Sequence, residues 1–179
     1  MSKALILTWE GFQDHEVVYP YYRLRENMTE KQVCVMSNKV GKITGILGLH
    51  IDSHVTVGEL DTKFDEYLND FDLLVIPGGV KALEKLRQEA RTVEFVKEWD
   101  KRGKLIASTC HGAQLLISAK CLEDRSVSGY YSIQVDIENA GATYVNAPFV
   151  TDKNIISSPH YKWMGEWMGE VIKQLTNRS

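Results

Sequence analysis

The sequence predicts a doubly wound α/β fold, in which a mostly parallel sheet carries helices on both faces. Short apolar segments of strand-forming residues alternate with longer segments of helical spacing, a pattern typical of right-handed strand–helix–strand units. The segment Phe71–Ile76 is almost continuously apolar, which indicates a strand buried on both faces. Two predicted strands end in distinctive segments, Pro77–Gly79 and Thr109–Gly112. Ligands of such sheets bind beyond the carboxyl ends of the strands, so these two segments are the first candidates for a site.

The size and composition of the chain predict a single domain over residues 1–179. Hydrophobic residues make up 44% and charged residues 25% of the sequence, which argues against a disordered or fibrous protein. With 24 acidic and 21 basic residues the net charge is -3, and no stripe of Lys and Arg is present to neutralise phosphates. We therefore expect no nucleic-acid partner.

The beginning of the chain and its cysteines predict a cytoplasmic protein without membrane association. The first residues, MSKALILTWEGF, contain one lysine and a short apolar run, unlike a signal peptide. No apolar run approaches the roughly 18 residues that span a bilayer. Cys34, Cys110 and Cys121 are odd in number and widely spaced, which argues against a disulfide framework and suits a reducing compartment.

The sequence predicts neither a metal nor an organic cofactor. Gly78 and Gly79 lack the spacing of a glycine loop that binds the phosphates of a nucleotide or flavin. The five histidines show no metal-ligand spacing. We expect a small-molecule substrate as the ligand.

The first predicted strand and helix follow each other closely. The strand is Lys3–Thr8, and apolar side chains then recur at helical spacing, at Val17, Tyr21 and Leu24. Pro20 lies inside this helical segment and lacks the amide that the helix needs. The early helix is therefore expected to be kinked or irregular.

The middle of the chain combines a parallel strand with antiparallel segments. Lys31–Ser37 is the second predicted strand, and Gly41–Leu60 alternates apolar and polar residues between glycines, as an antiparallel excursion does. A second short hairpin is predicted over Thr143–Ser157.

The second half of the chain alternates helices with a further strand. Val93 and Trp99 belong to a helical stripe that stops at Gly103, and Lys104–Ser108 is then a central strand. Three more helices are predicted, the first containing Leu115, Leu116 and Ala119, the second beginning with Ile133 and Ile137 and ending near Gly141, and the last covering Tyr161–Leu175.

Cys110 is the leading candidate for a nucleophile. The strand Lys104–Ser108 leads into Cys110, His111, Gly112 and a helix, which is the order of a nucleophile elbow. A thiol at a helix N-terminus is expected to have a lowered pKa, and the thiolate is the reactive form. The alternative, a small buried apolar residue, is preferred for Cys34 and Cys121 because they lie on apolar segments.

The segment ASTCHGAQLLISA, Ala107 to Ala119, resembles the signature of the ThiJ/PfpI superfamily, which includes proteases, glyoxalases, chaperones and a deglycase. Three further segments match in the same order: Leu5–Arg25, Asp72–Gly79 and Glu138–Val145. The resemblance covers most of the chain, is closest to the PfpI-like branch, and implies a flavodoxin-like doubly wound sheet with a nucleophile elbow.

The resemblance also implies a set of catalytic residues. It makes Cys110 the nucleophile and Glu16 a protonated acid beside it, since two anions in contact are costly. It directs His111 away from Cys110 towards a carboxylate that can come from a neighbouring subunit, for which Glu84 is the candidate. Considered alone, Glu16 is better explained as a solvated helix residue, whereas Glu84 is as compatible with a solvated helix residue as with a site residue.

Substrate binding is expected around the same elbow. The amides of Gly79 and His111 are the predicted oxyanion hole, and Tyr130 and His160 are candidate substrate contacts. An Arg-x-Pro-x-Asp stretch that many relatives carry is replaced here by Ser157–Lys162. His160 is therefore either a polar contact at the pocket rim or a surface residue that caps the last helix.

The sequence leaves the reaction open. One hypothesis is an enzyme in which Cys110 attacks a small carbonyl or amide compound, as a glyoxalase, deglycase or PfpI-like hydrolase does. The alternative is a redox-responsive stress or chaperone protein that uses oxidation of Cys110. The resemblance further implies a homo-oligomer, a dimer or larger, with the active site near the subunit interface.

Overall fold

The computed structural model describes all residues from Met1 to Ser179. The strands are β1 (Ala4–Leu7), β2 (Val33–Ser37), β3 (Gly41–Thr44), β4 (His50–Ser53), β5 (Val55–Thr56), β6 (Leu73–Ile76), β7 (Leu105–Thr109), β8 (Ser126–Val127), β9 (Thr143–Tyr144), β10 (Val150–Asp152) and β11 (Ile155–Ser158). The helices are α1 (Asp14–Arg25), α2 (Leu60–Asp70), α3 (Val80–Leu86), α4 (Ala90–Lys101), α5 (Ala113–Ser118), α6 (Gln134–Asn139) and α7 (Met164–Asn177).

The main sheet has seven strands in the order β10-β11-β7-β6-β1-β2-β5. All neighbouring strands are parallel except β10, which pairs antiparallel with β11. The predicted doubly wound, mostly parallel sheet with surrounding helices is therefore confirmed. Because β1, β6 and β7 are adjacent and parallel, the segments that follow them meet at one edge of the sheet.

The three central strands are buried along their whole length, which explains their nearly continuous apolar sequences. Two tryptophans anchor helices to the sheet. The indole N–H of Trp99 donates to Leu105 O over 3.1 Å, and that of Trp167 donates to Ile156 O over 3.2 Å. Each large ring is thus buried with its polar group satisfied, which fixes α4 and α7 relative to the sheet.

Helix α1 is continuous, so the expected irregularity at Pro20 is wrong. The helix runs from Asp14 to Arg25 through Pro20. The proline removes one amide, the one that would donate to the carbonyl of Glu16 four residues earlier, but the remaining bonds hold the helix. Gln13 caps the helix, because its side chain accepts a hydrogen bond from the Glu16 amide.

The antiparallel pairing predicted within Gly41–Leu60 is confirmed only for its first part. β3 and β4 form a separate two-stranded antiparallel sheet, but β5 joins the main sheet parallel to β2. The excursion then ends before Leu60, where α2 begins. Neither α2 nor α3 was predicted from the sequence.

The second predicted hairpin is also shorter than expected. Only β10 and β11 pair antiparallel, whereas β9 pairs parallel with β8 in a small separate sheet. Val145 N donates to Val127 O and extends that pairing, so the residues before β10 already have partners elsewhere. Among all the helices, none has the length and apolar character that crossing a membrane requires.

Candidate active site

The elbow after β7 holds Cys110 in a strained backbone conformation. Its φ is +56°, a left-handed value that costs a non-glycine residue roughly 1–3 kcal/mol and persists only where the surroundings impose it. A 3-10 turn over Cys110–Gly112 then leads into α5. Gly112 allows this turn to lie against the end of β6, because a Cβ there would overlap Ile76 O. The predicted strand, turn and helix around the cysteine are therefore present.

Glu16 projects from the first turn of α1 towards the same place. Its side chain is fully buried, and Oε1 accepts a hydrogen bond of 2.9 Å from the Gly78 amide. The other oxygen, Oε2, is buried without a hydrogen-bond partner of good geometry. Burial raises the pKa of Glu16 to about 8, although contacts with Gly78 and Cys110 lower it in part. The carboxyl therefore holds its proton at neutral pH.

Gly78 makes room for this arrangement. A Cβ at this position would overlap Glu16 Oε1 and would lie 2.9 Å from Cys110 Cβ and 3.2 Å from His111 N. Only a residue without a side chain lets the acid approach the cysteine here.

The pKa of the Cys110 thiol is raised, which is opposite to the lowered value that the sequence predicts. Burial is the main cause, and an ionised Glu16 raises this pKa further, whereas the His111 amide lowers it. The thiol is only 7% exposed, and α5 is only six residues long. While Glu16 is protonated it carries no negative charge, so its repulsion of a thiolate is absent.

His111 lies next to the sulfur. Its Nδ1 is 3.4 Å from Cys110 Sγ, and its ring packs on Tyr130 with centroids 4.7 Å apart. Burial lowers the pKa of the imidazole, so it is neutral at pH 7. This differs from the predicted orientation away from Cys110, because within one chain the ring packs between the elbow and Tyr130. A neutral imidazole protonated on Nε2 can accept the thiol proton at Nδ1.

Cys110 opens into a cleft of about 510 Å³, a size typical of small-molecule sites. The cleft is lined by Gln13, Ile46, Leu47, Gly79, Val80, Lys81, Cys110, His111, Tyr130, His160 and Tyr161. Beside the cleft, the carbonyl of Gly78 accepts a hydrogen bond from the Gln13 amide over 3.2 Å. Because a trans peptide directs its C=O and N–H oppositely, the Gly79 N–H points away from Gln13.

Stacked rings form one side of the cleft. Tyr161 stacks on His15 with centroids 4.5 Å apart and packs in a tilted arrangement on His160 with centroids 4.1 Å apart. His160 Nδ1 accepts a hydrogen bond from Lys162 N over 3.0 Å. His160 therefore caps the turn before α7 and also lines the cleft. Its polar contact with a substrate stays a prediction.

Comparison with known proteins identifies the family. A model described as the DJ-1/PfpI family matches residues 2–174. The chain belongs to the DJ-1/PfpI family. This agrees with the ThiJ/PfpI resemblance that the sequence motifs predict.

Two curated relatives match the DJ-1/PfpI chain over almost its whole length. The deglycase TK1284 of Thermococcus kodakarensis is 39% identical over 173 residues, which cover 97% of this chain and 99% of the relative. The deglycase PfpI of Pyrococcus furiosus is 38% identical over 174 residues, with the same coverage of both chains. The solved structure of a ThiJ/PfpI domain protein from Brachyspira murdochii has a TM-score of 0.87 at 20% identity and covers 100% of both chains, which supports the fold.

The structure brings together most of the residues that the sequence singled out for a DJ-1/PfpI site. Glu16 contacts the elbow, and the others line the cleft: Cys110, His111, Gly79, Tyr130 and His160. Glu84 does not join them, because it is exposed on α3 and does not line the cleft. Its predicted role at the site of a neighbouring subunit stays a prediction.

Several residues of the cleft were not predicted from the sequence. Gln13 lines the cleft and hydrogen-bonds over 3.0 Å to His15, which lies outside it. Only the closeness of Gln13 to Glu16 in the sequence could have indicated it. Ile46 and Leu47 come from the distant turn between β3 and β4. Their approach depends on tertiary contacts that have no local signal.

Proposed function

We propose that this chain is a cysteine-dependent enzyme that acts on small carbonyl or amide compounds, with dicarbonyls such as methylglyoxal as the preferred class. The observation that carries the proposal is that Cys110 lines a small-molecule cleft and contacts both a protonated acid, Glu16, and a neutral imidazole, His111. The deglycase names of two relatives that cover nearly the whole chain support carbonyl chemistry.

The first step is addition of the Cys110 thiol to the aldehyde carbon. The S–C bond forms while the C=O π pair moves to oxygen, and the thiol proton passes to His111 Nδ1, 3.4 Å from the sulfur. The proton then moves to the new alkoxide and leaves a neutral hemithioacetal. A raised thiol pKa is compatible with this step, because the proton leaves as the new bond forms.

The second step is an internal redox reaction. A base removes the hydrogen from the former aldehyde carbon, and a proton returns to the neighbouring ketone carbon. The first carbon is thereby oxidised to a thioester and the second reduced to an alcohol, so no external oxidant is needed. Water then cleaves the C–S bond, which releases lactate and the free thiol. Glu16 and His111 are the groups assigned to these proton transfers.

The amides of Gly79 and His111 are assigned to the developing oxyanion. The Gly79 N–H points away from Gln13, and Gly79 lines the cleft. Fixed N–H donors stabilise such a charge without reorganising. Tyr130 and His160 are assigned to substrate contact, since both rings line the same cleft.

The test is conversion of methylglyoxal to lactate by purified protein, run beside release of product from a model amide. We expect turnover that is lost in Cys110→Ala and strongly reduced in Glu16→Gln, while Cys34→Ala, remote from the cleft, serves as the matched control. Absence of turnover of both substrates by the wild-type protein, together with selective oxidation of Cys110 by peroxide, would instead favour the redox-responsive alternative.

We further propose that the chain acts in the cytoplasm as a homo-oligomer whose active site lies near a subunit contact. The exposed position of Glu84 supports this arrangement, because it leaves the carboxylate free to reach the site of a neighbouring subunit. A sedimentation experiment that shows only monomers at micromolar concentration would contradict it.

A further inference from the structure

The turn between β3 and β4 forms an apolar wall of the Cys110 cleft. Ile46 and Leu47 line the cleft, although their side chains are 54% and 65% exposed. Together they place an apolar surface beside Cys110, which a ligand with an apolar group would cover. We call residues 45–49 the wall turn.

Asp14 holds the wall turn in place. Its side chain is fully buried, and its two oxygens accept hydrogen bonds from the wall turn, Oδ1 from Leu47 N over 2.7 Å and Oδ2 from Leu49 N over 2.8 Å. Gly45 allows this contact, because a Cβ there would overlap the Asp14 carboxyl group. A carboxylate that accepts two backbone amides fixes both the position and the orientation of the wall turn.

The first turn of α1 therefore contacts both Cys110 and the wall turn. Asp14 and Glu16 are two residues apart at the start of α1, and a further bond from Ile46 N to Phe12 O, 2.9 Å, ties the wall turn to the residues just before the helix. Glu16 contacts Cys110 while Asp14 places the apolar side chains across the cleft.

We propose that Asp14 is a positioning residue and that the wall it holds selects carbonyl compounds that carry an apolar group beside the reacting carbons. The inference rests on the proposed function. Methylglyoxal has five non-hydrogen atoms and occupies at most roughly 150 Å³ if each takes about 30 Å³, the volume of one liquid water, so it fills only part of a cleft of about 510 Å³. The remaining space adjoins Ile46, Leu47 and Val80, so an apolar substituent on the substrate covers side chains that are otherwise exposed to water.

The direct test compares phenylglyoxal with methylglyoxal. We expect the wild-type protein to prefer phenylglyoxal, and we expect the ratio of the two kcat/KM values to fall about tenfold in the double variant Ile46→Ser and Leu47→Ser, a typical effect of losing apolar contacts in a pocket. Val40→Ser is the matched control, because Val40 is exposed and does not line the cleft. An unchanged ratio in the double variant overturns the proposal.

Asp14→Asn tests the positioning role. The variant keeps the size of the side chain but replaces one acceptor oxygen by a donor, so one of the two bonds to the wall turn is lost. We expect faster hydrogen exchange at the Leu47 or Leu49 amide and a higher KM for phenylglyoxal, with a smaller effect on its kcat. Asp61→Asn, an exposed residue on α2, is the control. Faster exchange with no change in KM, or an equal loss of kcat for both substrates, overturns the positioning role.

A separate measurement keeps this inference independent of turnover. If neither dicarbonyl is converted, the proposed function fails, and the wall is tested by the rate at which N-phenylmaleimide labels Cys110 relative to N-ethylmaleimide. We expect this ratio to fall in the double serine variant. If instead the ratio is unchanged while the oligomeric state of the variant changes, the wall turn packs on a second copy of the chain and the proposal is wrong.

Discussion

Glu16 Oε1 accepts a hydrogen bond of 2.9 Å from the backbone amide of Gly78, which lies 62 residues away in the sequence. This bond holds a buried acid next to Cys110 at the point where β6 ends. The bond also indicates which oxygen carries the proton of neutral Glu16. Because Oε1 accepts the hydrogen bond from Gly78, the proton belongs on Oε2.

Replacing Gly78 by alanine tests how closely the acid and the cysteine are packed. A Cβ at residue 78 meets both Glu16 Oε1 and Cys110 Cβ, so we expect Gly78→Ala to lose more than about tenfold in activity and to destabilise the fold by about 1–3 kcal/mol. The measurements are chemical denaturation and initial rates with methylglyoxal.

Gly169→Ala is the control for that substitution. Gly169 lies within α7, and a Cβ there meets nothing within 4 Å, so this change is expected to stabilise the fold by about 0.5–1 kcal/mol. Equal effects of the two alanines on stability would show that Gly78 is not closely packed against the acid.

The raised pKa of Glu16 predicts how stability depends on pH. Burial raises this pKa from 4.5 to about 8 in the folded chain, so between these values the folded state keeps a proton that the unfolded state has released. The free energy of unfolding therefore falls as pH rises through this window, by at most about 1.4 kcal/mol per pH unit. The stabilisation of the folded state by the proton on Glu16 is fully present below pH 4.5 and is lost above about pH 8.

Glu16→Gln removes this titration, so we expect denaturation curves of the variant to depend less on pH between 5 and 8 than those of the wild type. Glu84→Gln is the matched control, since Glu84 is exposed. A variant whose stability falls with pH as steeply as that of the wild type would mean that Glu16 is already ionised at pH 5.

Mixing two inactive variants tests whether Glu84 acts on a neighbouring subunit. Cys110→Ala lacks the proposed nucleophile, and Glu84→Gln lacks the carboxylate that the family resemblance assigns to the adjacent site. In a mixed oligomer some sites combine an intact Cys110 from one chain with an intact Glu84 from the other. We expect activity to return when the two variants are unfolded and refolded together, and not when they are mixed without subunit exchange. Full activity of Glu84→Gln alone would exclude the role.

The sequence was sufficient for the sheet and for the elbow because both have local signals. The apolar segments before Gly78 and before Cys110 predict buried parallel strands, and their adjacency follows from the topology of such sheets. Helix α2 was missed because its stripe of buried residues is sparse: only Leu60, Tyr67 and Leu68 are buried. The environment of the cleft was predictable only in part, since the wall turn reaches it through bonds to Asp14.

The direction of the pKa shift of the Cys110 thiol could not be predicted from the sequence. A cysteine before a helix suggests a lowered pKa, but burial is a property of the whole fold and here raises it. The protonated thiol needs an acceptor for its proton, whereas a thiolate would not. The neutral imidazole of His111, 3.4 Å from the sulfur, is such an acceptor. The sequence shows only that Cys110 and His111 are adjacent. It does not show that the His111 ring lies next to the sulfur, because that ring packs on Tyr130, which is distant in the sequence.

The most direct test of the account is to trap the covalent intermediate. The wild-type protein is mixed with methylglyoxal, quenched in acid during turnover and digested for mass spectrometry. We predict a mass increase of one methylglyoxal unit on the peptide that contains Cys110, which is absent in Cys110→Ala and appears more slowly in Glu16→Gln. Formation of lactate without any adduct on Cys110, or equal labelling of Cys34 and Cys121, would contradict the assignment of Cys110 as the nucleophile.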